Sequence, residues 1–138
     1  MSELPYPSPR EDADNAAFLS SWRKGKLVIQ RCGDCGKSVF YPRPVCPHCW
    51  SELLESRIAS GRGRIVAYSL VRRPNDPVFN DELPIILVEV ALEEGALLLA
   101  RIIGCDPTKV ESGLGVELPP TDVCARYPLP VFHLAEAR

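Results

Sequence analysis

The sequence predicts a mainly β protein in three parts: an N-terminal helix, a four-cysteine zinc ribbon and a five-stranded Greek-key barrel of the OB type. Three observations predict it. Two CxxC knuckles, Cys32-Gly33-Asp34-Cys35 and Cys46-Pro47-His48-Cys49, lie ten residues apart. Apolar and polar residues alternate through the second half in runs of strand length, bounded by glycine and proline. A tight turn joins the second and third runs and a longer connector joins the third and fourth, as in a small OB barrel. The parts are expected over residues 1–26, 27–60 and 61–138.

Residues 1–12 read as a polar leader. Met1 to Arg10 has no apolar run for export, and no stretch of the chain approaches a membrane span, so a cytoplasmic protein is expected. Asp14 or Asn15 can cap a helix running to Lys24, with Gly25 as its stop. Phe18 and Trp22 are four apart with Leu19 beside them, which makes one apolar stripe. A helix this short does not stand alone in water and must dock. A small ribbon covers such a stripe only in part, so Phe18 and Trp22 are candidates for a partner interface. The plainer reading is that they join the helix to the ribbon.

Leu27 to Arg31 is expected as a strand into the first knuckle, Val39 to Tyr41 as its return, and Leu53 to Ser60 as the exit. A CxxC turn aims both thiolates at one ion, and a second such turn closes a tetrahedron of Cys32, Cys35, Cys46 and Cys49. Gly36 follows the first knuckle, where a positive φ turns amide N–H groups toward sulfur. One structural zinc fits this set, with iron the competitor in the same kind of site. A closed site has no open position for substrate, so it staples the module and does no chemistry. Disulfides do not suit a reducing cytoplasm. A thioredoxin-like motif needs one CxxC opening a helix, and Pro42, Pro44 and Pro47 crowd these knuckles. His48 reads as an exposed knuckle-loop residue rather than a further ligand.

Gly61-Arg62-Gly63 marks the start of the barrel. From Arg64 to Arg73, Ile65, Ala67, Ser69 and Val71 are expected on one face and Val66, Tyr68 and Leu70 on the other. A proline- and acid-rich loop, Pro74 to Pro84, carries Phe79 at its centre. Long loops in small domains are usually functional or disordered, so Phe79 is a further candidate for a partner interface. Pro84 to Leu92 and Ala96 to Ile103 follow as strands, joined by Glu93-Glu94-Gly95. Gly104 to Gly115 is a connector with room for one helical turn. Gly115 to Leu118 and a stretch within Val123 to Leu134 supply the last two strands.

The net charge of −2 gives no bulk electrostatic case for nucleic acid. The charge is uneven: residues 1–64 carry ten Lys/Arg and seven Asp/Glu, residues 65–138 six and eleven. No catalytic set is evident. The histidines are His48 and His133, and neither Cys105 nor Cys124 has a base at a suggestive spacing. Asp76, Asp81 and Glu82 share one loop and read as a solvated face. Arg62, Arg64, Arg72 and Arg73 stand near the two ends of the first barrel strand, and guanidinium forks suit phosphate groups. As solvated strand ends they need no ligand.

The chain resembles the OB-fold acyl-CoA-associated proteins of the domain of unknown function 35 family. The resemblance rests on Phe18 to Gly25, on Gln30-Arg31-Cys32-Gly33-Asp34-Cys35-Gly36 and on Tyr41-Pro42-Arg43-Pro44-Val45-Cys46-Pro47-His48-Cys49. It continues in Ser60-Gly61-Arg62-Gly63, in Arg73-Pro74 with Phe79 and Pro84, and in Leu129-Pro130-Val131-Phe132. Trp50 departs from it, standing where the family usually has glycine, and the segment after Glu117 is short, with Pro119-Pro120. The resemblance implies a rubredoxin-like zinc ribbon before an OB barrel. It also implies an accessory role beside a thiolase-like subunit, whose own groups perform acyl transfer, condensation or retro-aldol cleavage on acyl-CoA. The partner is then expected at the Pro74–Pro84 loop and the adjacent barrel edge, and the resemblance makes Arg62, Arg64, Arg72 and Arg73 candidates to meet CoA phosphates and line the CoA or acyl channel, with Arg72 and Arg73 at its mouth. The alternatives are a free-standing acyl-CoA-binding protein and, below it, a single-strand nucleic-acid module. The latter wants a basic, aromatic groove that the acidic barrel half does not offer.

Overall fold

The computed structural model describes residues 6–7, 9–74 and 76–135. The rest of the expected leader, residues 1–5 and 8, lies outside the described residues, as do Asn75 of the loop and residues 136–138.

Helix α1 spans Ala16–Arg23. Asn15 sits at its N-cap position without making the cap, because its side-chain amide is committed to the turn before it. There it accepts from the Asp12 N–H at 2.8 Å and donates to the Arg10 carbonyl at 2.9 Å. The C-terminus closes as a Schellman motif, with the Gly25 N–H on Trp22 O and the Lys26 N–H on Ser21 O. The apolar stripe is buried within the chain: Phe18, Leu19 and Trp22 are 6%, 3% and 0% exposed.

The ribbon is a three-stranded antiparallel sheet of β1 (Val28–Cys32), β2 (Ser38–Val39) and β3 (Leu54–Ile58), ordered β2-β1-β3. β2 is shorter than expected. The Gln30 side chain substitutes for further ladder, donating to Arg43 O and accepting from Arg43 N, and so holds the returning segment beside β1.

The second half closes as a barrel in the order β4-β5-β6-β8-β7. Its strands are β4 (Arg62–Val71), β5 (Ile85–Leu92), β6 (Leu97–Ile102), β7 (Gly115–Glu117) and β8 (Val131–Leu134). β6 and β8 pair in parallel and every other pair is antiparallel. This is the five-stranded Greek-key closure of an OB fold. The connector between β6 and β7 holds one 3₁₀ turn, Pro107–Lys109. Cys124 is not on a strand: it ends a short helix, α2 (Thr121–Cys124), between β7 and β8. Gly63 is required by packing, since a Cβ there would lie 2.5 Å from the Ala91 carbonyl oxygen on β5.

The expected faces of β4 are corrected by a bulge. Its register against β5 shifts between Ile65 and Ala67, which leaves Val66 unpaired. The extra residue flips the alternation, so Ile65 is buried in the core and Leu70, expected opposite, packs against the same core. That core also takes in Phe18, Leu19, Leu27 and Ile29, and so joins the helix and the root of the ribbon to the barrel. No helix among the described residues is long and apolar enough to cross a membrane.

Candidate metal centre and barrel cleft

The metal centre stands at the ribbon tip. The sulfurs of Cys32, Cys35, Cys46 and Cys49 all lie within 4.8 Å of one another. Two equivalent turns bring them there. The Gly36 N–H returns to Cys32 O at 3.0 Å and the Trp50 N–H to Cys46 O at 2.8 Å. Amide N–H groups of Cys35 and His48 point at the Cys32 and Cys46 sulfurs, each at 3.4 Å. The Cys35 amide, aided by that of Asp34 and against the effect of burial, draws the Cys32 thiol down to about 6. At Cys49 the Ser51 amide pulls the same way, but burial and the neighbouring thiols outweigh it and hold the group up at about 12. Four thiolates this close do not ionise together without a cation among them. The donor set therefore fits a tetrahedral zinc. His48 is exposed.

The second feature is a cleft of about 600 Å³ on the outer face of β5 and β6, between the β4–β5 loop and the α2–β8 segment. OB folds bind ligands on this face, between these loops. Its walls are almost wholly apolar and include Leu87, Leu99, Phe79 and Pro130. Two charged residues, Asp76 and Arg101, stand among the described lining residues. Arg101 on β6, its side chain 16% exposed, donates from Nη2 to Glu82 Oε1 at 2.9 Å. The Tyr6 ring stacks between Phe79 and Tyr127, with centroids 5.5 and 5.2 Å away, and its hydroxyl donates to the same Glu82 oxygen at 2.8 Å. Burial first, then the bond to Glu82, pushes the Tyr6 phenol up to about 12. The Arg101 guanidinium lies 6.0 and 5.6 Å from the Tyr6 and Tyr127 ring centroids.

The expected site residues distribute unevenly around this cleft. Phe79 lines it, in a 3₁₀ segment Pro77–Glu82 opened by the Asp76 carboxylate accepting from the Val78 N–H. Arg72 and Arg73 are exposed at the end of β4, beside the lining residues Val71 and Pro74. Arg62 and Arg64 are at the other end of β4, roughly 30 Å away at ~3.3 Å per residue. There Arg62 pairs with Glu93 at 3.2 Å and Arg64 donates to Gly113 O. The four arginines do not form one group. Phe18 and Trp22 are corrected outright: they are buried by this chain, and Trp22 Nε1 donates to Tyr127 O at 2.8 Å. They offer a partner no surface, because α1 docks on the barrel as well as the ribbon. Sequence reasoning missed Tyr6, Glu82, Arg101 and Tyr127 as a group. The usable signal was one charge, Arg101, inside the apolar run Leu97-Leu98-Leu99-Ala100-Arg101-Ile102.

The two thiols outside the ribbon are quiet. Burial pushes both Cys105 and Cys124 up, and their sulfurs donate to the backbone carbonyls of Asp106 and Pro119. His133 stands beside Glu117 at 3.6 Å on the barrel surface.

Comparison with known proteins matches both halves. Residues 20–55 match the family model of the ChsH2 rubredoxin-like zinc ribbon domain, and residues 57–119 that of the ChsH2 C-terminal OB-fold domain. The sequence is 35% identical over 129 residues to a probable enoyl-CoA hydratase alpha subunit of Thermomonospora curvata. That match covers 94% of this chain but only 40% of the relative's length. It is 38% identical over 105 residues to a DUF35 domain-containing scaffold protein of Methanothermobacter thermautotrophicus, covering 72% of this chain and 78% of that one. Among solved structures, a chain of the Ltp2-ChsH2(DUF35) aldolase superimposes with a TM-score of 0.77 at 34% identity, over 91% of this chain and 98% of that one. A DUF35-family protein of unknown function from Sulfolobus solfataricus, 14% identical, shares the fold with a TM-score of 0.62 over 89% of this chain and 86% of that one.

Proposed function

We propose a function from one premise: the chain belongs to the DUF35 family, whose members join a rubredoxin-like zinc ribbon to a C-terminal OB-fold. It works as a non-catalytic accessory subunit of a thiolase-like enzyme complex acting on acyl-CoA. The observation that carries this reading is the match to nearly the whole length of a chain from the Ltp2-ChsH2(DUF35) aldolase. The state of the chain's own reactive groups supports it. Its zinc site is closed by four cysteines, and its remaining thiols are held protonated by burial. The thiolase-like partner supplies the nucleophile and the acid and base.

This chain contributes one structural zinc and a docking surface at the Pro74–Pro84 loop. The surface continues over the exposed strip of Leu87 and Leu99, with Arg72 and Arg73 placed to meet CoA phosphates at the channel mouth. The complex is cytoplasmic in this reading. Phe79→Ala tests the docking surface. It removes a half-buried ring from the loop and leaves the cores untouched, so zinc content and fold stay unchanged while affinity for the co-expressed thiolase-like partner falls about tenfold or more. Equal affinity by size-exclusion and activity titration would move the interface elsewhere. Acyl-CoA turnover by the isolated chain, lost in Cys105→Ala or Cys124→Ala, would overturn the non-catalytic role.

A further inference from the structure

β3 is an edge strand of the ribbon sheet, and its residues Glu55 to Ile58 are all exposed. The bonds on its inner side fix which main-chain groups point outward. The Ala59 N–H donates to Leu27 O at 2.8 Å, and Leu53 O accepts from the Gly33 N–H at 2.7 Å. Between them the register pairs Arg57 with Ile29 and Glu55 with Arg31. Alternate residues of an antiparallel strand bond to the same side, so Leu53, Glu55, Arg57 and Ala59 face β1. The main-chain groups of Leu54, Ser56 and Ile58 therefore face out. The described residues supply a partner there to the Leu54 N–H alone, on Glu52 O at 3.0 Å. Such an open row of donors and acceptors is a template for another strand.

We propose that this edge takes a second copy of the chain, paired antiparallel through β3 about a two-fold axis at Ser56. The sequence Leu54-Glu55-Ser56-Arg57-Ile58 is self-complementary in that register. Glu55 of each copy comes opposite Arg57 of the other, and Leu54 opposite Ile58. The two Ser56 residues meet at the axis as a hydrogen-bonded pair, flanked on either side by Ile58 N–H on Leu54 O. The Glu55–Arg57 pairs are then the non-hydrogen-bonded ones, whose side chains approach most closely. Within one chain these side chains already pair at 2.6 Å, and a second copy completes a ring of four alternating charges. Ile58, 64% exposed on this charged edge, gains an apolar neighbour in Leu54. A slip of two residues either way would set Glu55 on Glu55 or Arg57 on Arg57, so charge selects the register. The dimer goes beyond the subunit reading: it makes the ribbon a link between two accessory chains and needs no thiolase-like protein to form.

The test is analytical ultracentrifugation of the full chain with its zinc. A single strand pair is at the small end of specific interfaces, so a reversible dimer with a dissociation constant on the order of 10–100 μM is expected. Glu55→Arg and Arg57→Glu each set like charges opposite one another, and each is expected to weaken the dimer about tenfold or more. Mixed in equal amounts, the two variants are complementary again and are expected to dimerise with each other as the wild type does with itself. Ser56→Pro removes an outward N–H and leaves the bonds to β1 in place, so it is expected to abolish the dimer with zinc content unchanged. The charge variants decide the matter if Ser56→Pro folds poorly. A wild type still monomeric about tenfold above that concentration range overturns the proposal. So does an undiminished dimer in either charge variant or in a folded Ser56→Pro, or a mixture of the charge variants that stays monomeric. A wild type that is monomeric alone, yet loses assembly with a thiolase-like protein in Ser56→Pro, would give the edge to that protein and overturn the dimer. None of the measurements on the isolated chain bears on the subunit reading, so the two fail separately.

Discussion

In the ribbon tip the buried set is Cys32, Val39 and Cys46, with Leu54 packed against it. In the barrel one apolar cluster runs from Ile65 to Phe132 and reaches back through α1 to Phe18 and into β1 at Ile29. Two of the three buried residues at the tip are metal ligands, so without the metal almost nothing apolar holds it. The barrel has its core whatever the metal does. The ribbon root lies between these regimes: Leu27, Ile29 and Ala59 belong to the barrel cluster. The Glu94 turn also grips the ribbon, accepting at its backbone carbonyl from the Ser38 hydroxyl and at its carboxylate from the Ser60 N–H. One chain thus carries a gradient from metal-held tip to solvent-excluded core.

The largest effect is expected where that gradient is steepest. Cys46→Ser removes a buried ligand, and structural zinc in such modules contributes on the order of 10 kcal/mol of folding free energy. Elemental analysis should show the metal gone. Hydrogen exchange should show β2 and both knuckles unprotected while the β5 and β6 amides keep their protection. If the barrel amides lose protection in step with the knuckles, the two regions are one cooperative unit and the contrast between them fails.

Trp22→Ala strikes the joint instead. The indole is fully buried against Cys124 and Val131 and bonds to the Tyr127 carbonyl. Truncating a buried aromatic costs about 3–5 kcal/mol, and here it also leaves the carbonyl without its donor. The denaturant midpoint should fall by that much with zinc content unchanged. Loss of zinc in this variant would show that α1 supports the ribbon tip as well as the barrel.

The same contrast explains what could be read from the sequence. The ribbon was legible residue by residue, because metal ligation fixes residue type and spacing locally: Cys32, Cys35, Cys46 and Cys49 converge as their spacing requires. The barrel strands were legible as runs but not in detail. The bulge at Val66 depends on how β4 meets β5, and nothing within β4 announces it. The stripe on α1 was visible, yet its burial was not, since the surface that covers Trp22 comes from residues about a hundred positions later. The cleft was the least legible part. Tyr6, Glu82, Arg101 and Tyr127 come from four separate segments, and only closure of the barrel brings them together.

The smallest expected effect lies within the ribbon, where its two knuckles can be compared directly. The residue after each second cysteine adopts a left-handed backbone: Gly36 at φ +76° in the first knuckle, Trp50 at φ +67° in the second. Glycine takes this conformation freely, whereas a residue with a Cβ is strained there by roughly 1–2 kcal/mol. Trp50 is 79% exposed, so little burial offsets the strain. Trp50→Gly should therefore stabilise the ribbon, by about 0.5–1 kcal/mol once the greater freedom of glycine in the unfolded chain is subtracted. Gly36→Ala should destabilise it by a similar amount through strain alone, since a Cβ there meets nothing closer than Arg31 Nη2 at 4.0 Å. Zinc retention against a competing chelator reads both changes, because the tip opens in order to release its metal. If Trp50→Gly loses zinc faster than the wild type, the indole contributes more to the tip than its exposure implies. The second knuckle would then be held by side-chain packing as well as by metal.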